Sequence, residues 1–277
     1  MKPNKIVAVF LCAVLLVCCA QYTRSADDNI KVRLNGEPVT LTSAPHWYGS
    51  GLKDGLYVPL LSFCDHLGAS VSEWDGDTGT AHAGFSGFSL TATSDDIYLT
   101  ANGRCLYVPY GCLLSHNDLL VPIGALSAAL GATYRFDSDR LTLYVTAGPE
   151  RPQEGSDVYD GTDLYWLAHI INAEACSESF LGKVAVGNVV MNRVKTSGFP
   201  NTVYDVIFDR SGGVQFEPTL NGTVYNDPSE DCYTAAKLAL EGAAPVNDCL
   251  FFASILDCWA AENRPYYTTI GGHHFFQ

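Results

Sequence analysis

The stretch "IINAEACSES" (170–179) places a glutamate, Glu174, in a run that otherwise follows the pattern of a buried helix face. The apolar residues around it recur at helical spacing and predict one apolar stripe: Leu164, Leu167, Ala168, Ile171 and Ala175. Glu174 falls on the row beside this stripe, so its carboxyl group is expected at the edge of the core. Burial disfavours the ionised form of a carboxyl group, and its pKa is therefore expected to be raised.

A second helix is predicted directly after this one, from the segment "FLGKVAVGNVVMNRVKTSGFP" (180–200). Thr162 and Asp163 are the cap candidates of the first helix, and Gly198 and Pro200 are expected to stop the second. Small residues such as Gly187 predict close packing between the two helices. The second half of the chain is therefore expected to be mainly helical.

The first half repeats itself. "YVPLLSFCDHLGASVSEWD" begins at Tyr57 and "LVPIGALSAALGATYRFD" begins at Leu120, and each predicts a Val-Pro strand end, a short helix, a Leu-Gly-Ala turn and a strand. Asn-Gly pairs at 35–36 and 102–103 predict β-hairpins, and 140–145 predict a closing strand.

These patterns predict an α+β protein in several parts. A signal peptide occupies 1–26, a β-rich domain 27–147, a linker rich in Gly, Pro and acids 148–162, and a mainly helical domain 163–277.

The N-terminus has the pattern of an export signal. Lys2 and Lys5 precede an uncharged apolar run over 6–20, which is too short to span a bilayer as a helix. Cleavage is expected after Ala20 or near Ala26, with a lipid anchor or an uncleaved anchor as the alternatives. The predicted location is secreted or cell-wall-associated, as for an exported Gram-positive protein, with no membrane contact beyond the signal.

Charge and cysteines exclude several classes of protein. The formal charge is −14 and becomes −16 without Lys2 and Lys5, so nucleic acid and anionic lipid are expected to repel the chain. Seven cysteines follow the signal, an odd number, and no two form a CxxC pair, so small buried thiols with one or two disulfides are expected, and at least one thiol is expected to be unpaired. The histidines of the first half are scattered, and no metal or other cofactor is expected.

Six blocks in the second half carry a resemblance, and they stand in this order: "AEACSE" (173–178), "GKVAVGNVVMNRV" (182–194), "FPNTVYDVIF" (199–208), "VQFEP" (214–218), "AAKLALEG" (235–242) and "TIGGHHFF" (269–276). Together they resemble the cell-wall hydrolase family of the spore cortex-lytic enzyme SleB. This resemblance implies a lysozyme-like α+β domain that cleaves the glycan strands of peptidoglycan. The first half resembles the N-terminal domain of copper amine oxidases, which implies a stalk or wall-attachment module and no copper chemistry.

The resemblance implies a lytic transglycosylase in which Glu174 is the acid and base. Glu174 would protonate the oxygen between N-acetylmuramic acid and N-acetylglucosamine, then take the proton of the muramyl 6-hydroxyl. A hydrolase would instead need a second carboxylate, about 5 Å away for retention or about 6.5–9.5 Å for inversion. The acidic candidates for that second group are Glu178, Asp205, Asp209 and Glu217.

Other site residues are assigned with their structural alternatives. Glu178 is expected to cap the following helix or to support Glu174, while Gln215, Phe216 and Tyr267 are candidates for substrate contact, with packing as the alternative. His273 and His274 are expected to be a structural pair at a strand end. The chain also departs from the family, with Cys176 and Ser177 for Arg and Gly, Glu217 for Ser, and "LFFASILD" (250–257) for an aromatic run ending in Asn-Pro.

Two other functions remain open. Cys176 raises the possibility of a thiol peptidase that cuts stem peptides, which needs a partner histidine. His169 lies two helical turns away, and His273 would have to reach Cys176 through tertiary contact. Cys176 is turned about 200° from Glu174 on an ideal helix, so the two are not expected to line one cleft. The departures also allow a wall-binding protein without catalysis.

Overall fold

This computed structural model describes residues 30–148 and 152–277, so the predicted export signal at 1–26 lies outside the described residues. The first half is rich in strands and the second is mainly helical with a small sheet. The predicted α+β fold class is therefore confirmed.

Three sheets make up the first half, with strand orders β12-β13-β1-β2, β10-β11-β4-β3 and β5-β6-β7-β8-β9. Its strands are β1 Lys31–Leu34, β2 Glu37–Val39, β3 His46–Trp47, β4 Leu56–Pro59, β5 Val71–Asp75, β6 Thr80–Phe85, β7 Phe88–Thr93, β8 Tyr98–Ala101, β9 Arg104–Tyr107, β10 Leu113–Ser115, β11 Asp118–Pro122, β12 Thr133–Asp137 and β13 Thr142–Thr146. Its helices are α1 Leu52–Gly55, α2 Leu60–His66 and α3 Ile123–Leu130.

The internal repeat is visible as two matching units, β4-α2-β5 and β11-α3-β12. The two units meet through their first strands, because β4 and β11 pair antiparallel with Val58 opposite Val121. The predicted hairpins are confirmed. In the β1–β2 turn, Asn35 and Gly36 have φ of 53° and 89°, the left-handed values that a two-residue turn between twisted strands requires.

The second half packs its longest helices together. Its helices are α4 Gly155–Val158, α5 Gly161–Ala175, α6 Phe180–Lys195, α7 Val203–Phe208, α8 Pro218–Asn221, α9 Glu230–Leu240 and α10 Trp259–Asn263, with a 3-10 turn at Thr223–Tyr225. The strands β14 Phe251–Ala253, β15 Tyr266–Ile270 and β16 His273–Phe276 form a sheet in the order β14-β16-β15.

Gly187 of α6 lies at a close contact with α5 and α9. A Cβ atom at this position would lie 2.9 Å from both Ala239 and Ile171. The predicted close packing of the first two helices is confirmed, and α9 joins them.

Two helix ends differ from the sequence expectation. The cap of α5 is Asp160, whose side chain accepts hydrogen bonds from the backbone of Thr162 and Asp163. Thr162 and Asp163 therefore lie inside the first turn of α5, because Asp160 before them already satisfies the free N–H groups of that turn. Helix α6 ends at Lys195, three residues before Gly198.

Part of the predicted linker is helical, because residues 155–158 form α4.

The two halves are joined by a packed interface. Cys105 of β9 belongs to the hydrophobic cluster of the second half, together with Cys232 and Ala236 of α9. Beside it, Arg104 donates to both carboxylate oxygens of Glu241 at 2.7 and 2.8 Å.

The seven cysteines of the described residues are all unpaired, and five of them are buried. The expectation of small buried thiols is met, and that of one or two disulfides is not. In residues 30–148 and 152–277, none of the helices has the length and apolar character needed to cross a membrane.

Candidate active site

Glu174 lies in the last turn of α5, beside a face that is fully buried. Leu167, Ile170 and Ile171 have no exposed surface, so the carboxyl group emerges at the rim of the core as the sequence predicts. Burial and, to a smaller extent, the nearby charge of Glu217 raise the pKa of Glu174 to about 7, while the charge of Arg193 opposes both. A carboxyl group with this pKa carries its proton in about half of the molecules at pH 7 and in most of them at lower pH.

Two cavities meet at Glu174. The larger, about 470 Å³, is lined by Asn172, Ala173, Glu174, Cys176, Glu217, Pro218, Asn221, Thr223 and Asn226. The smaller, about 260 Å³, is lined by Glu174, Arg193, Gln215, Phe216, Glu217, Phe252, Ala253, Ser254, Ile255 and His273. Glu174 and Glu217 belong to both, so the carboxyl group of Glu174 has open space on two sides.

Arg193 of α6 is the positive charge of the site. Its side chain is buried, donates through Nε to the carbonyl of Leu250 at 2.7 Å, and lies 5.2 Å from the ring centre of Phe216. Burial lowers the pKa of Arg193 to about 10, which leaves it charged at neutral pH. Sequence reasoning missed it, although it follows Val186, Val189 and Val190 at helical spacing and so falls on an apolar row.

Gln215 and Phe216 both line the smaller cavity but in different ways. Gln215 is half-buried and accepts a hydrogen bond from Arg193 at 3.4 Å, so its amide is held beside the charge. Phe216 is only 2% exposed and packs in the core of the second half. Gln215 remains a candidate for substrate contact, and packing accounts for most of the Phe216 side chain.

Tyr267 is not at this site. It lines a separate cavity of about 650 Å³ between the two halves, where Lys53 and Tyr110 form part of the opposite wall. Its hydroxyl accepts a hydrogen bond from Asn247. The expected contact of Tyr267 with a substrate bound at Glu174 is therefore not supported, because β15 carries this ring to the domain interface.

Glu178 ties the helices to the C-terminal hairpin. The cap of α6 is Ser179, whose hydroxyl accepts from the backbone of Gly182, so the expected capping role of Glu178 is wrong. The Glu178 carboxylate instead accepts from the N–H of Gly272 at 2.9 Å, in the turn between β15 and β16. Glu178 can support the site through this turn, because His273, the next residue, lines the smaller cavity.

His273 is 7% exposed, and its ring meets the edge of Phe252 at 5.1 Å between centres. Burial lowers its pKa, and the charge of Glu178 partly opposes this. The residue begins β16, as expected for a strand-end histidine, and it also forms part of the wall opposite Glu174.

Cys176 lines the larger cavity together with Glu174, so the expectation that the two face different ways is wrong. The backbone of Cys176 is still helical, and the cavity is lined by residues 172–174 and 176, so it borders more than one side of the last turn of α5. His169 is engaged elsewhere, with Nδ1 2.8 Å from the carbonyl oxygen of Val224. His273 lines the other cavity, so the arrangement does not favour a thiol peptidase.

Of the four acidic residues considered as a second carboxylate, Glu217 is the one that lines the cavities of Glu174. Asp205 accepts from the hydroxyl of Thr202 at the start of α7. Asp209 accepts from the backbone of Ser211. Within the described ranges, no group of three or more His, Cys, Asp or Glu side chains is placed to hold a metal ion.

Comparison with known proteins assigns both halves. Residues 177–276 match the cell wall hydrolase family, and residues 33–145 match the copper amine oxidase N-terminal domain. The chain is 32% identical over 140 residues to the spore cortex-lytic enzyme of Bacillus cereus, which covers 47% of this chain and 52% of the relative. It is 30% identical over 122 residues to that of Bacillus subtilis, covering 42% and 38%.

One similar solved structure is the catalytic domain of the germination-specific lytic transglycosylase SleB from Bacillus anthracis. It is 31% identical, covers 43% of this chain and 97% of that domain, and gives a TM-score of 0.39. The chain spans about half the length, or less, of the curated relatives that it matches.

The family match thus identifies residues 177–276 as a cell wall hydrolase domain, and the predicted enzyme class is confirmed at the level of the family. More particularly, the hydrolase domain is similar to spore cortex-lytic enzymes, and a copper amine oxidase N-terminal-like domain precedes it, as the sequence predicts. The family match begins three residues after Glu174, so the role of that residue is argued from its geometry.

Proposed function

We propose that this protein is an exported lytic enzyme that cleaves peptidoglycan glycan strands between N-acetylmuramic acid and N-acetylglucosamine, with Glu174 as acid and base. One observation carries the proposal: the half-buried carboxyl group of Glu174, with a pKa of about 7, lies where two cavities meet. A glycan that crosses this point would have a sugar on each side of the carboxyl group.

The first chemical step uses the proton of Glu174. The carboxyl group gives this proton to the glycosidic oxygen while the bond from that oxygen to C1 of the muramic acid breaks. Glu174 becomes a carboxylate at a half-buried position, and the positive charge of Arg193 stabilises it there. Arg193 therefore lowers the pKa of Glu174 in the resting enzyme, and it stabilises the carboxylate that forms when the proton is transferred.

The second step returns the proton. The Glu174 carboxylate takes it from the 6-hydroxyl of the same muramic acid, and that oxygen bonds to C1. The products are a 1,6-anhydro end on one fragment and a free hydroxyl on the N-acetylglucosamine of the other. Glu174 is protonated again, so a single carboxyl group serves both steps.

The cavity walls fit an amide-rich sugar polymer. The larger cavity carries the side-chain amides of Asn172, Asn221 and Asn226, and the smaller carries that of Gln215. Such groups donate to and accept from the acetamido and hydroxyl groups of amino sugars. The named relatives are spore cortex-lytic enzymes, which favours a wall substrate, and the first half is proposed as a wall-attachment module packed against the catalytic domain.

The test is a digest of purified peptidoglycan by the signal-free protein, by Glu174→Gln and by Glu262→Gln, followed by mass analysis. Glu262 is exposed on α10 and serves as the matched control. We expect anhydro ends from the wild type and from Glu262→Gln, and none from Glu174→Gln. Stem-peptide cleavage that Cys176→Ser abolishes would contradict the proposal, and so would binding without release of fragments, which would indicate a wall-binding protein.

A further inference from the structure

The side chain of Glu217 has no role in the mechanism above, although it lines both cavities of Glu174. It is exposed to solvent, whereas Glu174 is half-buried. The two side chains are near enough for the charge of Glu217 to act on Glu174. The site therefore holds one carboxyl group at the rim of the core and another that is exposed to water.

The backbone holds Glu217 firmly in this place. Phe216 before it and Pro218 after it are both buried. The carbonyl of Glu217 accepts from the backbone N–H of Leu220 at 2.8 Å, in the first turn of α8. These contacts fix the backbone of Glu217, so the residue keeps its place in the lining of both cavities.

The other charged groups around Glu174 are less suited than Glu217 to accept a proton from water. Arg193 cannot act as a base near neutral pH, because its guanidinium stays protonated. His273 is buried in the wall of the smaller cavity only, and Asp209 lines neither cavity. Glu217 is thus the acceptor for a proton from water at this point of the cleft.

We infer that Glu217 is a second catalytic group, which activates a water molecule so that a share of the cleavages ends in hydrolysis. The inference rests on the proposed glycan cleavage and deepens it. Opposite environments for two carboxyl groups in one cleft are the arrangement that separates an acid from a base.

The hydrolytic step is balanced as follows. Glu174 gives its proton to the glycosidic oxygen as the C1–O bond breaks, and a water oxygen bonds to C1 while Glu217 takes one proton of that water. The products are an N-acetylglucosamine hydroxyl and a muramic acid with a reducing end, heavier than the anhydro product by one water. The proton on Glu217 then exchanges with solvent, and Glu174 regains its own from solvent.

The test separates the two kinds of chain end. The full signal-free protein, Glu217→Gln and Glu174→Gln each digest purified peptidoglycan, and borohydride then reduces the reducing ends and leaves anhydro ends unchanged. We expect both kinds of end from the wild type. Glu217→Gln should lower the ratio of reduced to anhydro ends by about a hundredfold or more, the lower end of what a general base contributes.

Several outcomes would overturn the inference. They are an unchanged ratio in Glu217→Gln, only anhydro ends from the wild type, and an equal loss of both kinds of end in Glu217→Gln. Because Glu217 is exposed, this variant should fold as the wild type does, which its unfolding curve checks. If Glu174→Gln retained both products, the proposed function itself would fail, and the two failures are therefore distinguishable.

Discussion

At the scale of single residues, the raised pKa of Glu174 lowers the stability of the folded protein at neutral pH. Its pKa in the folded protein, about 7, is above its ordinary value of 4.5, so the folded state binds this proton more tightly than the unfolded state. The stability that comes from this proton is present in acid and is lost as the pH rises through about 7. By pH 8 the loss is up to about 3 kcal/mol.

Glu174→Gln should therefore be inactive and more stable than the wild type at pH 8, by up to about 3 kcal/mol. At pH 4 the two should be nearly equal, because both side chains are then neutral. Urea unfolding at the two pH values measures this difference, with Glu262→Gln as the variant that should show none. Equal stability of wild type and Glu174→Gln at pH 8 would contradict the raised pKa.

The same proton sets the pH dependence of activity. Only protein with protonated Glu174 can start the reaction, so kcat/KM should fall as the pH rises through about 7. Glu217→Gln removes a negative neighbour, so the pKa of Glu174 should drop and the fall should begin at lower pH. A pH profile of fragment release that does not move in this variant would speak against the coupling of Glu174 and Glu217.

Sequence alone identified Glu174 because an acid on the edge of an apolar helical stripe is conspicuous. Arg193 sits on an apolar row in the same way and was overlooked, so the same signal was available for it. The sequence marked Glu217 only as one of four candidates for a second carboxylate, because the loop before α8 has no periodicity that predicts the direction of a side chain. The prediction that Cys176 and Glu174 do not share a cleft is wrong because the cavity borders more than one side of the last turn of α5, which a helical wheel does not show.

At the scale of elements, Gly187 sets the distance between the three long helices. Alanine favours a helix by about 1 kcal/mol over glycine, but at this position its Cβ would meet Ala239 and Ile171 at 2.9 Å. We expect Gly187→Ala to lower the free energy of unfolding by about 1–3 kcal/mol, because overpacking outweighs propensity. Gly161→Ala, at the start of α5 where the added atom meets nothing within 4 Å, should be neutral or stabilising. Thermal unfolding of the two variants compares them, and a stabilised Gly187→Ala would contradict the packing.

The C-terminal hairpin depends on Glu178 through the glycines of its turn. Gly271 has φ of +57°, and a Cβ there would collide with the Glu178 carboxylate. Gly271→Ala should cost about 1–2 kcal/mol from the backbone plus the displaced hydrogen bond to Gly272. In a Glu178→Ala background the cost should shrink to the backbone part, and a double-mutant cycle measures this. Gly222→Ala, also left-handed but in open space, is the control, and a coupling energy of zero would refute the contact.

Elements with strong local signals were predictable. The Asn-Gly turns and the Leu-Gly-Ala helix ends follow from residues within a few positions, because left-handed backbone selects them. Helix starts were less certain, since Asp160, Thr162 and Asp163 are all able to cap and the earliest one does.

At the scale of the whole molecule, the contact between the halves was not predictable. Cys105 lies on a strand whose alternation reads as part of the first half, yet it packs into the cluster of the second. The sequence around Arg104 does not predict its ion pair with Glu241, which is 137 positions later. The segment expected to separate the halves takes part in this contact, because the hydroxyl of Tyr159 donates to Glu241 at 3.2 Å and accepts from the N–H of Cys105 at 3.0 Å.

The interface predicts how the protein unfolds. The Arg104 and Glu241 side chains are only 12% and 10% exposed, so removal of one leaves the other charge nearly buried without its partner. Arg104→Ala should destabilise by about 3 kcal/mol and separate the unfolding of the two halves into two transitions, where the wild type shows one. Arg140→Ala removes an ion pair with Asp137 in which the arginine is 75% exposed, and it should cost less than about 1 kcal/mol. Calorimetry of the three proteins measures the transitions. Equal effects of the two variants, or a wild type that already unfolds in two steps, would mean that the halves are held together by apolar packing and the linker alone.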